Sequence, residues 1–223
     1  MSAKKSAEKQ NYHHGDVPQA LLHAALERIK QDGVEKLSLR AIARDIGVSQ
    51  TAPYRHFKDK NALLVQLAIE GFEQLANCKE VPEGDDVFAN LIEIGLAYIE
   101  FAVEHPQHYL LMFGSKIEQR EAHVDLKAAG QTAFSVILTQ TTKGAELGIL
   151  VDLDSQILAK CVWSKLHGLA SLAIDGFFDT NELPLELEQY LRLQIALTIR
   201  GLLKEPQQVD INDGALSALS SCG

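Results

Sequence analysis

Residues 38–57 read SLRAIARDIGVSQTAPYRHF, and this stretch decides how the N-terminal part of the chain folds. Ser38 is a favourable N-cap for a short helix, and Gly47 ends that helix. Glycine permits the positive φ that a tight corner between two helices requires. Ser49 then caps a second helix, which is expected to reach about Phe57. The stretch therefore predicts a helix-turn-helix.

The outward face of this motif is polar. Helical spacing directs the apolar residues of the first helix inward, and Tyr54 and Phe57 are expected to anchor the second helix. The polar and small residues left outside lie in the part that a recognition helix inserts into the major groove, where Gln50 suits an adenine edge. The candidates for phosphate contact are Arg40, Tyr54, His56, Lys58 and Lys60. The other candidate DNA-binding residues are Ser49, Gln50, Thr51, Ala52, Pro53 and Arg55.

The distribution of charge indicates that only the N-terminal part of the chain contacts a nucleic acid. The 223 residues carry 21 Lys and Arg against 30 Asp and Glu, a net charge of −9. Residues 1–60 hold 11 basic and 7 acidic side chains, or +4, which leaves −13 on residues 61–223. A basic N-terminal quarter on an acidic body indicates that only the front end approaches a polyanion.

A longer stretch resembles a known family. The run GVSQTAPYRHFKDKNALL (residues 47–64) resembles the end of the DNA-binding domain of TetR-family transcriptional repressors, and YHHGDVPQALLHAALERIKQDGVEKLSLRAIARDIGVS (residues 12–49) resembles its first two helices. The chain departs from that pattern at Pro53, where many relatives carry Leu or Ile. Proline removes the earliest backbone bond of the recognition helix and shifts its start.

The rest of the chain has helical apolar spacing almost throughout and no alternating strand pattern, so the predicted fold class is all-α. We expect a flexible basic N-terminus (residues 1–11), a three-helix helix-turn-helix domain (12–60), a larger helical domain (61–204) and a loose tail (205–223). The best internal linker is EVPEGDD at residues 80–86. The helices are expected at residues 17–32, 38–46, 49–57, 60–77, 86–104, 107–113, 119–143, 154–178 and 185–204.

The resemblance implies that the larger domain binds an effector and dimerises. Residues 161–178 (CVWSKLHGLASLAIDGFF) and 105–114 (HPQHYLLMFG) are similar to a subgroup with a Trp followed by a His-Gly pair. The predicted helices 154–178 and 185–204 are apolar on two faces, which favours a four-helix bundle across a two-fold axis and hence a homodimer. Two recognition helices related by such an axis read a pseudo-palindromic operator in double-stranded DNA.

A cavity for a small hydrophobic effector is the second candidate site. Aromatic and Met side chains with one polar group suit such a ligand, although the same residues at helical spacing are also ordinary core. The candidate effector-binding residues are Tyr98, Phe101, Met112, Phe113, Phe134, Trp163 and His167.

The sequence argues against other functions. No G-x-S-x-G, Walker or GxGxxG motif and no HExxH-type spacing occurs, so neither catalysis, a metal nor another cofactor is expected. Cys78, Cys161 and Cys222 lie far apart, which favours reduced thiols, with Cys161 buried in an apolar helix. No apolar stretch of roughly 18 to 20 residues and no secretory signal is present, so the expected location is the cytoplasm, without a membrane partner.

The sequence therefore predicts a ligand-responsive homodimeric repressor. The alternative is a helical small-molecule binding protein whose vestigial head no longer binds DNA. The polar, basic outward face of residues such as Gln50, Arg55 and Lys58 argues against that alternative. Activation of transcription uses the same residues and remains open at this stage, as do the effector, the operator and the regulated genes.

Overall fold

The computed structural model describes residues 17–78, 86–178 and 185–205, and within these ranges it consists of helices joined by turns and loops. The flexible N-terminus expected at residues 1–11, nearly all of the linker expected at 80–86 and nearly all of the tail expected at 205–223 lie outside the described residues. The α-helices of the described residues are α1 (Val17–Asp32), α2 (Leu39–Asp45), α3 (Lys60–Asn77), α4 (Val87–Glu104), α5 (Pro106–Phe113), α6 (Val124–Glu146), α7 (Ser155–Ile174) and α8 (Leu187–Arg200).

The chain divides into two compact units, and α3 begins in the first unit and ends in the second. The first unit extends to Leu63 and the second begins at Leu64. In the first unit α1 packs against α2, and the Arg28 guanidinium forms a two-pronged ion pair with Asp45, including a 2.8 Å bond from Nη2 to Oδ1. This pair holds the end of α2 against α1 and so fixes the position at which the following turn begins.

The turn after α2 forms as its residue types require. The Ser38 hydroxyl accepts a hydrogen bond from the Ala41 backbone N–H at 3.2 Å and caps α2. Gly47 adopts φ +72°, a left-handed conformation that other L residues rarely adopt. Asp59 accepts a bond from the Ala62 backbone N–H at 2.8 Å and caps α3. Local bonds thus cap α2, the first helix of the motif, and α3, the helix that follows the motif.

The second unit is a helical bundle in which α4 packs against α6, α7 and α8. Gly95 lies where α4 approaches its neighbours most closely. A Cβ atom there would lie 2.8 Å from the side chain of Leu166 on α7 and 3.0 Å from that of Ile195 on α8. The chain between α6 and α7 is joined to the chain after α8 by an antiparallel bridge between Leu150 and Leu203. Leu158 packs with these two residues to close that end of the bundle.

One described helix, α7, is long and apolar enough on length and composition alone to cross a membrane. No such segment was expected from the sequence, because Lys160 and Lys165 interrupt the apolar residues of α7. Helices in the cores of proteins that never enter a membrane have the same composition. In this structure α7 packs against α4, α6 and α8.

Candidate DNA-binding turn and ligand cavity

The expected recognition residues form an exposed turn after α2. Gln50, Thr51, Arg55 and His56 are exposed, and the hydroxyl groups of Ser49 and Thr51 lie 3.2 Å apart. The turn therefore presents amide, hydroxyl, guanidinium and imidazole groups to solvent. Those groups are the donors and acceptors that can read base edges or hold phosphates.

The second helix of the motif differs from the prediction. Residues 49–57 were expected to form one helix, but the structure has turns followed by a short 3₁₀ helix, Pro53–Arg55. Pro53 has no N–H to donate to the Ser49 carbonyl, so the first i→i−4 bond is missing. Hydrogen bonds of the i→i−3 type replace it. The Ala52 N–H donates to the Ser49 carbonyl (2.9 Å), and the Arg55 N–H donates to the Ala52 carbonyl (3.1 Å).

The anchoring of this segment differs as well. Phe57 is buried as expected, but the second anchor is Pro53, which is also buried, and not Tyr54, which is 49% exposed. The loss of the regular helix rotates the side chains, so that Tyr54 points to solvent with the polar residues. Ala52 is half-buried.

The expected phosphate-contacting residues lie on the surface of the first unit. Arg40, Tyr54, His56 and Lys58 are exposed. The Lys60 ammonium group donates a 3.3 Å bond to the backbone carbonyl of Glu35. Lys60 thus already joins the start of α3 to the segment between α1 and α2.

The second unit encloses an apolar cavity of about 330 Å³. It lies among the last turns of α3 and helices α4, α5, α6 and α7. Five aromatic rings line it, and Phe113 and Phe134 lie 6.1 and 6.4 Å from the Trp163 ring. The lining residues are Phe72, Leu75, Ala76, Cys78, Ile94, Tyr98, Phe113, Gly130, Ala133, Phe134, Val136, Ile137, Lys160 and Trp163.

Four of the seven expected effector-binding residues line this cavity: Tyr98, Phe113, Phe134 and Trp163. The other three do not. Phe101 is buried beside the His105 ring, with 5.1 Å between ring centroids, and Met112 is buried against Gly71. His167 lies behind the wall, where its ring contacts the rings of Phe113 and Trp163.

A hydrogen-bonded group of two tyrosines and a histidine lies behind the cavity wall. The Tyr109 hydroxyl lies 2.6 Å from His167 Nδ1, and the Tyr98 hydroxyl lies 3.1 Å from that of Tyr109. Burial lowers the pKa of His167, and it raises the pKa of Tyr98 to about 12 and that of Tyr109 further. All three groups are therefore neutral at physiological pH, and they exchange hydrogen bonds instead of charge.

Comparison with known proteins decides the family. One family model, described as bacterial regulatory proteins of the tetR family, matches residues 21–67, and a second, the tetracyclin repressor-like C-terminal domain, matches residues 91–198. YobS of Bacillus subtilis, an uncharacterized HTH-type transcriptional regulator, is 30% identical over 187 residues, which cover 82% of this chain and 91% of YobS. The chain belongs to the TetR family.

Further relatives agree with this membership. A solved structure of a protein of unknown function from Rhodococcus sp. RHA1 has a TM-score of 0.75 and 30% identity, and the match covers 88% of this chain and 100% of that one. The class A tetracycline repressor from transposon 1721 of Escherichia coli is 39% identical over 69 residues, which are 31% of this chain and 32% of the repressor. The TetR family consists of transcription regulators, so DNA-binding regulation of transcription is the function of this chain at the family level.

Several residues of this TetR-family protein were missed by the sequence reasoning. Phe72 and Gly130 line the cavity, and the spacing of Gly130 four residues before Phe134 was an available signal. Arg120 was also missed: its guanidinium donates to the backbone carbonyls of Met112 (2.8 Å) and Gly114 (3.2 Å). Arg120 thereby closes the C-terminal end of α5, the helix that carries Phe113. No periodicity rule reveals such a contact, because Arg120 lies in the connection after the helix.

The prediction for Cys161 was wrong. Cys161 was expected to be buried, but it is exposed, because the two apolar stripes of α7 leave a third side of the helix to solvent. Within the ranges that the structure describes, no group of three or more His, Cys, Asp or Glu side chains is arranged to hold a metal ion.

Proposed function

We propose that this TetR-family protein is a cytoplasmic, homodimeric repressor that a small hydrophobic effector releases from a pseudo-palindromic operator. The proposal requires no cofactor, metal ion or membrane partner. The exposed side chains of Gln50, Thr51 and Arg55 support the DNA-binding part, since base edges are read by such donors and acceptors. The apolar cavity supports the effector part, because its volume and lining are those of a small-molecule site.

One observation carries the coupling between these two activities. Helix α3 begins at Lys60, directly after the DNA-binding turn, and its residues Phe72, Leu75 and Ala76 line the cavity. A ligand that contacts these three side chains acts on the helix that follows the turn in the chain. A ligand shifts an equilibrium only by its differential affinity for two states, so effector and operator weaken each other by one equal factor.

The exposed side of α7 supports the homodimer. Ile157 and Leu172 are 51% and 40% exposed, and Cys161 and Gly168 lie between them on the same stripe. On α8, Leu197 is 50% exposed. A Cβ atom added at Gly168 would meet nothing within 4 Å among the described residues, so those residues give no packing reason for a glycine in mid-helix. The close approach of a second copy of α7 and α8 supplies that reason.

Selection of bound sequences from a random duplex pool tests the proposal. The full-length protein is incubated with the pool near physiological salt, and the bound duplexes are sequenced. We expect a pseudo-palindrome with half-sites about one helical turn or more apart. Binding to the recovered site is expected to fall with added salt, because phosphate contacts release counterions.

Three results would overturn the proposal in different ways. No enrichment, together with no binding to DNA at low salt, would leave a helical small-molecule binding protein with a vestigial head. Simultaneous binding of a cavity ligand and the operator, with no change in either affinity, would remove the effector from the mechanism. A recovered site that lacks two-fold symmetry would contradict the dimeric reading of DNA.

A further inference from the structure

Most of the cavity wall is aromatic or aliphatic. The Tyr98 hydroxyl lies 3.1 Å from that of Tyr109 and 3.4 Å from His167 Nδ1, both of which are behind the wall. Tyr98 therefore offers a ligand its ring surface, because its hydroxyl binds the residues behind the wall. The other aromatic residues of the wall also offer ring surfaces.

Lys160 is the exception. It lies on α7, one turn before Trp163, and it lines the cavity although it is exposed. Among the described residues that line the cavity it is the only cation, and no lining residue is an acid. A lysine in this position covers the wall with its methylene stem and keeps its ammonium group in water. The positive charge therefore lies at the open side of the cavity.

From this arrangement we propose that the effector is an aromatic or similarly flat apolar molecule with a single negative charge, whose rings fill the cavity and whose anionic group pairs with Lys160. This inference rests on the proposed effector role of the cavity and names the chemistry of the ligand. Phe72, Phe113, Phe134 and Trp163 provide faces and edges for aromatic packing. A second charge or several hydroxyl groups would lose hydration in the apolar interior without gaining partners.

The position of the charge makes the pairing favourable. An anion at the open side keeps part of its hydration, so the desolvation that makes buried ion pairs costly is reduced. An exposed pair of this kind contributes a modest amount, about 1 kcal/mol, which corresponds to a change of roughly fivefold in affinity. The apolar body accounts for most of the affinity, and Lys160 accounts for the preference for an anion.

Two fluorescent probes with the same aromatic skeleton test this inference. N-phenyl-1-naphthylamine is neutral, and 8-anilinonaphthalene-1-sulfonate carries one negative charge. Each is titrated into the full-length protein, with energy transfer from Trp163, the chain's single Trp, reporting on binding at the cavity. We expect Lys160→Gln to weaken binding of the anionic probe about fivefold and to change binding of the neutral probe less than twofold. Added salt is expected to weaken binding of the anionic probe to the unsubstituted protein, and to leave the other three combinations of probe and protein unchanged.

Matched variants control for location and folding. Lys165→Gln removes the same charge from the same helix, but Lys165 donates to Gln194 and does not line the cavity, so neither probe is expected to respond. Ala133→Phe fills the cavity and is expected to abolish binding of both probes. Gly130→Ala is the milder version, since its added Cβ atom would lie 3.5 Å from the Phe72 ring, an ordinary contact. Thermal unfolding of each variant shows whether it is folded.

The outcomes separate this inference from the function on which it rests. If both probes bind and the filling variants exclude them, but Lys160→Gln leaves the anionic probe unchanged, the anion preference is wrong and the effector cavity stands. If neither probe binds, or the filling variants have no effect, both the anion preference and the effector role of the cavity fail. A fivefold loss confined to the anionic probe and to Lys160→Gln supports the inference.

Discussion

The two units of this protein place their candidate functional side chains in opposite environments. In the first unit, Gln50, Thr51 and Arg55 are polar and exposed on a short turn. In the second unit, Tyr98 and Trp163 belong to an apolar interior from which a cavity has been left open. A DNA-binding surface consists of groups left in solvent, whereas a ligand cavity consists of groups that would otherwise pack against one another.

This difference determines how each unit responds to substitution. Exposed side chains can be replaced with little effect on folding, so their replacement reports on binding alone. Side chains that line a cavity or the space behind it change stability and binding together. Substitutions at the exposed stripe of α7, at a buried polar group and in the turn therefore test the comparison at three levels.

The largest effect is expected from Gly168→Glu. The substitution places a charge on the exposed stripe of α7 that we propose faces a second copy of the chain, and both copies receive it. Loss of the dimer separates the two DNA-binding heads, and the affinity for a two-fold operator is expected to fall by about 100-fold or more. Sedimentation equilibrium and operator titration measure the two effects on the same sample.

The control is Thr139→Glu, which adds the same charge at an exposed position of α6. It is expected to leave both mass and operator affinity unchanged. A Gly168→Glu protein that remains a dimer and retains its operator affinity would remove this stripe from the interface.

The second effect concerns His108, a buried polar group in the second unit. No hydrogen-bond partner reaches its Nε2 atom within the described residues, and burial, together with the nearby His105, lowers its pKa to about 4. Because the unfolded chain takes up this proton near its ordinary pKa of about 6.5, the contribution of neutral His108 to stability is complete above that pH. It decreases as the pH falls from about 6.5 toward about 4.

His108→Leu is therefore expected to reduce the acid sensitivity of the second unit. The expected difference from the unsubstituted protein is about 2 kcal/mol between pH 7.5 and pH 5. Urea unfolding followed by the fluorescence of Trp163 measures it, since Trp163 also lies in the second unit. His56→Leu, at an exposed position, is the control. Equal pH dependence in the His108→Leu and unsubstituted proteins would show that His108 does not limit acid stability.

The third effect distinguishes base contacts from phosphate contacts in the turn. Gln50→Ala is expected to weaken binding to the selected operator by about tenfold or more and to change binding to random DNA little, because a base contact contributes about 1–3 kcal/mol. Lys58→Ala is expected to weaken binding to both and to reduce the magnitude of the salt slope by about 1 for each head. Titrations at several salt concentrations separate the two. If Gln50→Ala weakened binding to the operator and to random DNA equally, Gln50 would be a phosphate contact and not a base contact.

The sequence predicted the fold of the first unit more accurately than it predicted which residues line the cavity of the second unit. The predicted helices at residues 17–32 and 60–77 are confirmed as Val17–Asp32 and Lys60–Asn77, and Ser38 and Gly47 have the predicted capping and turn roles. Caps and turns depend on neighbours in the chain, so local rules find them. Pro53 shows the limit of these rules: its missing N–H predicts a shifted helix start, whereas the structure has turns and a short 3₁₀ helix, Pro53–Arg55, in place of the whole helix.

In the second unit, periodicity assigns a side of a helix but not the depth of each side chain. Phe113 and Met112 are adjacent on α5, yet the first lines the cavity and the second packs on Gly71. Trp163 and His167 lie one turn apart on α7, and His167 instead joins Tyr109 behind the wall. These differences depend on which helix packs over each position. A single sequence does not specify that arrangement at the scale of one side chain.

The smallest effect is expected from Pro53→Ala, and it tests whether the irregular turn is itself part of the DNA-binding surface. An alanine supplies the N–H that is missing toward the Ser49 carbonyl, and Ala52 already has helical angles, so a regular helix can extend back to Ser49. The gain of that bond and the loss of proline's rigidity nearly cancel, so stability is expected to change by less than about 1 kcal/mol. The base preferences recovered by selection are nevertheless expected to change, because the helix rotates Thr51 and Tyr54.

Pro18→Ala is the matched control, since Pro18 lies in the first turn of α1, where an added N–H gains no helical bond. Identical selected sequences for Pro53→Ala and the unsubstituted protein would mean that the DNA already imposes the regular helix on the turn.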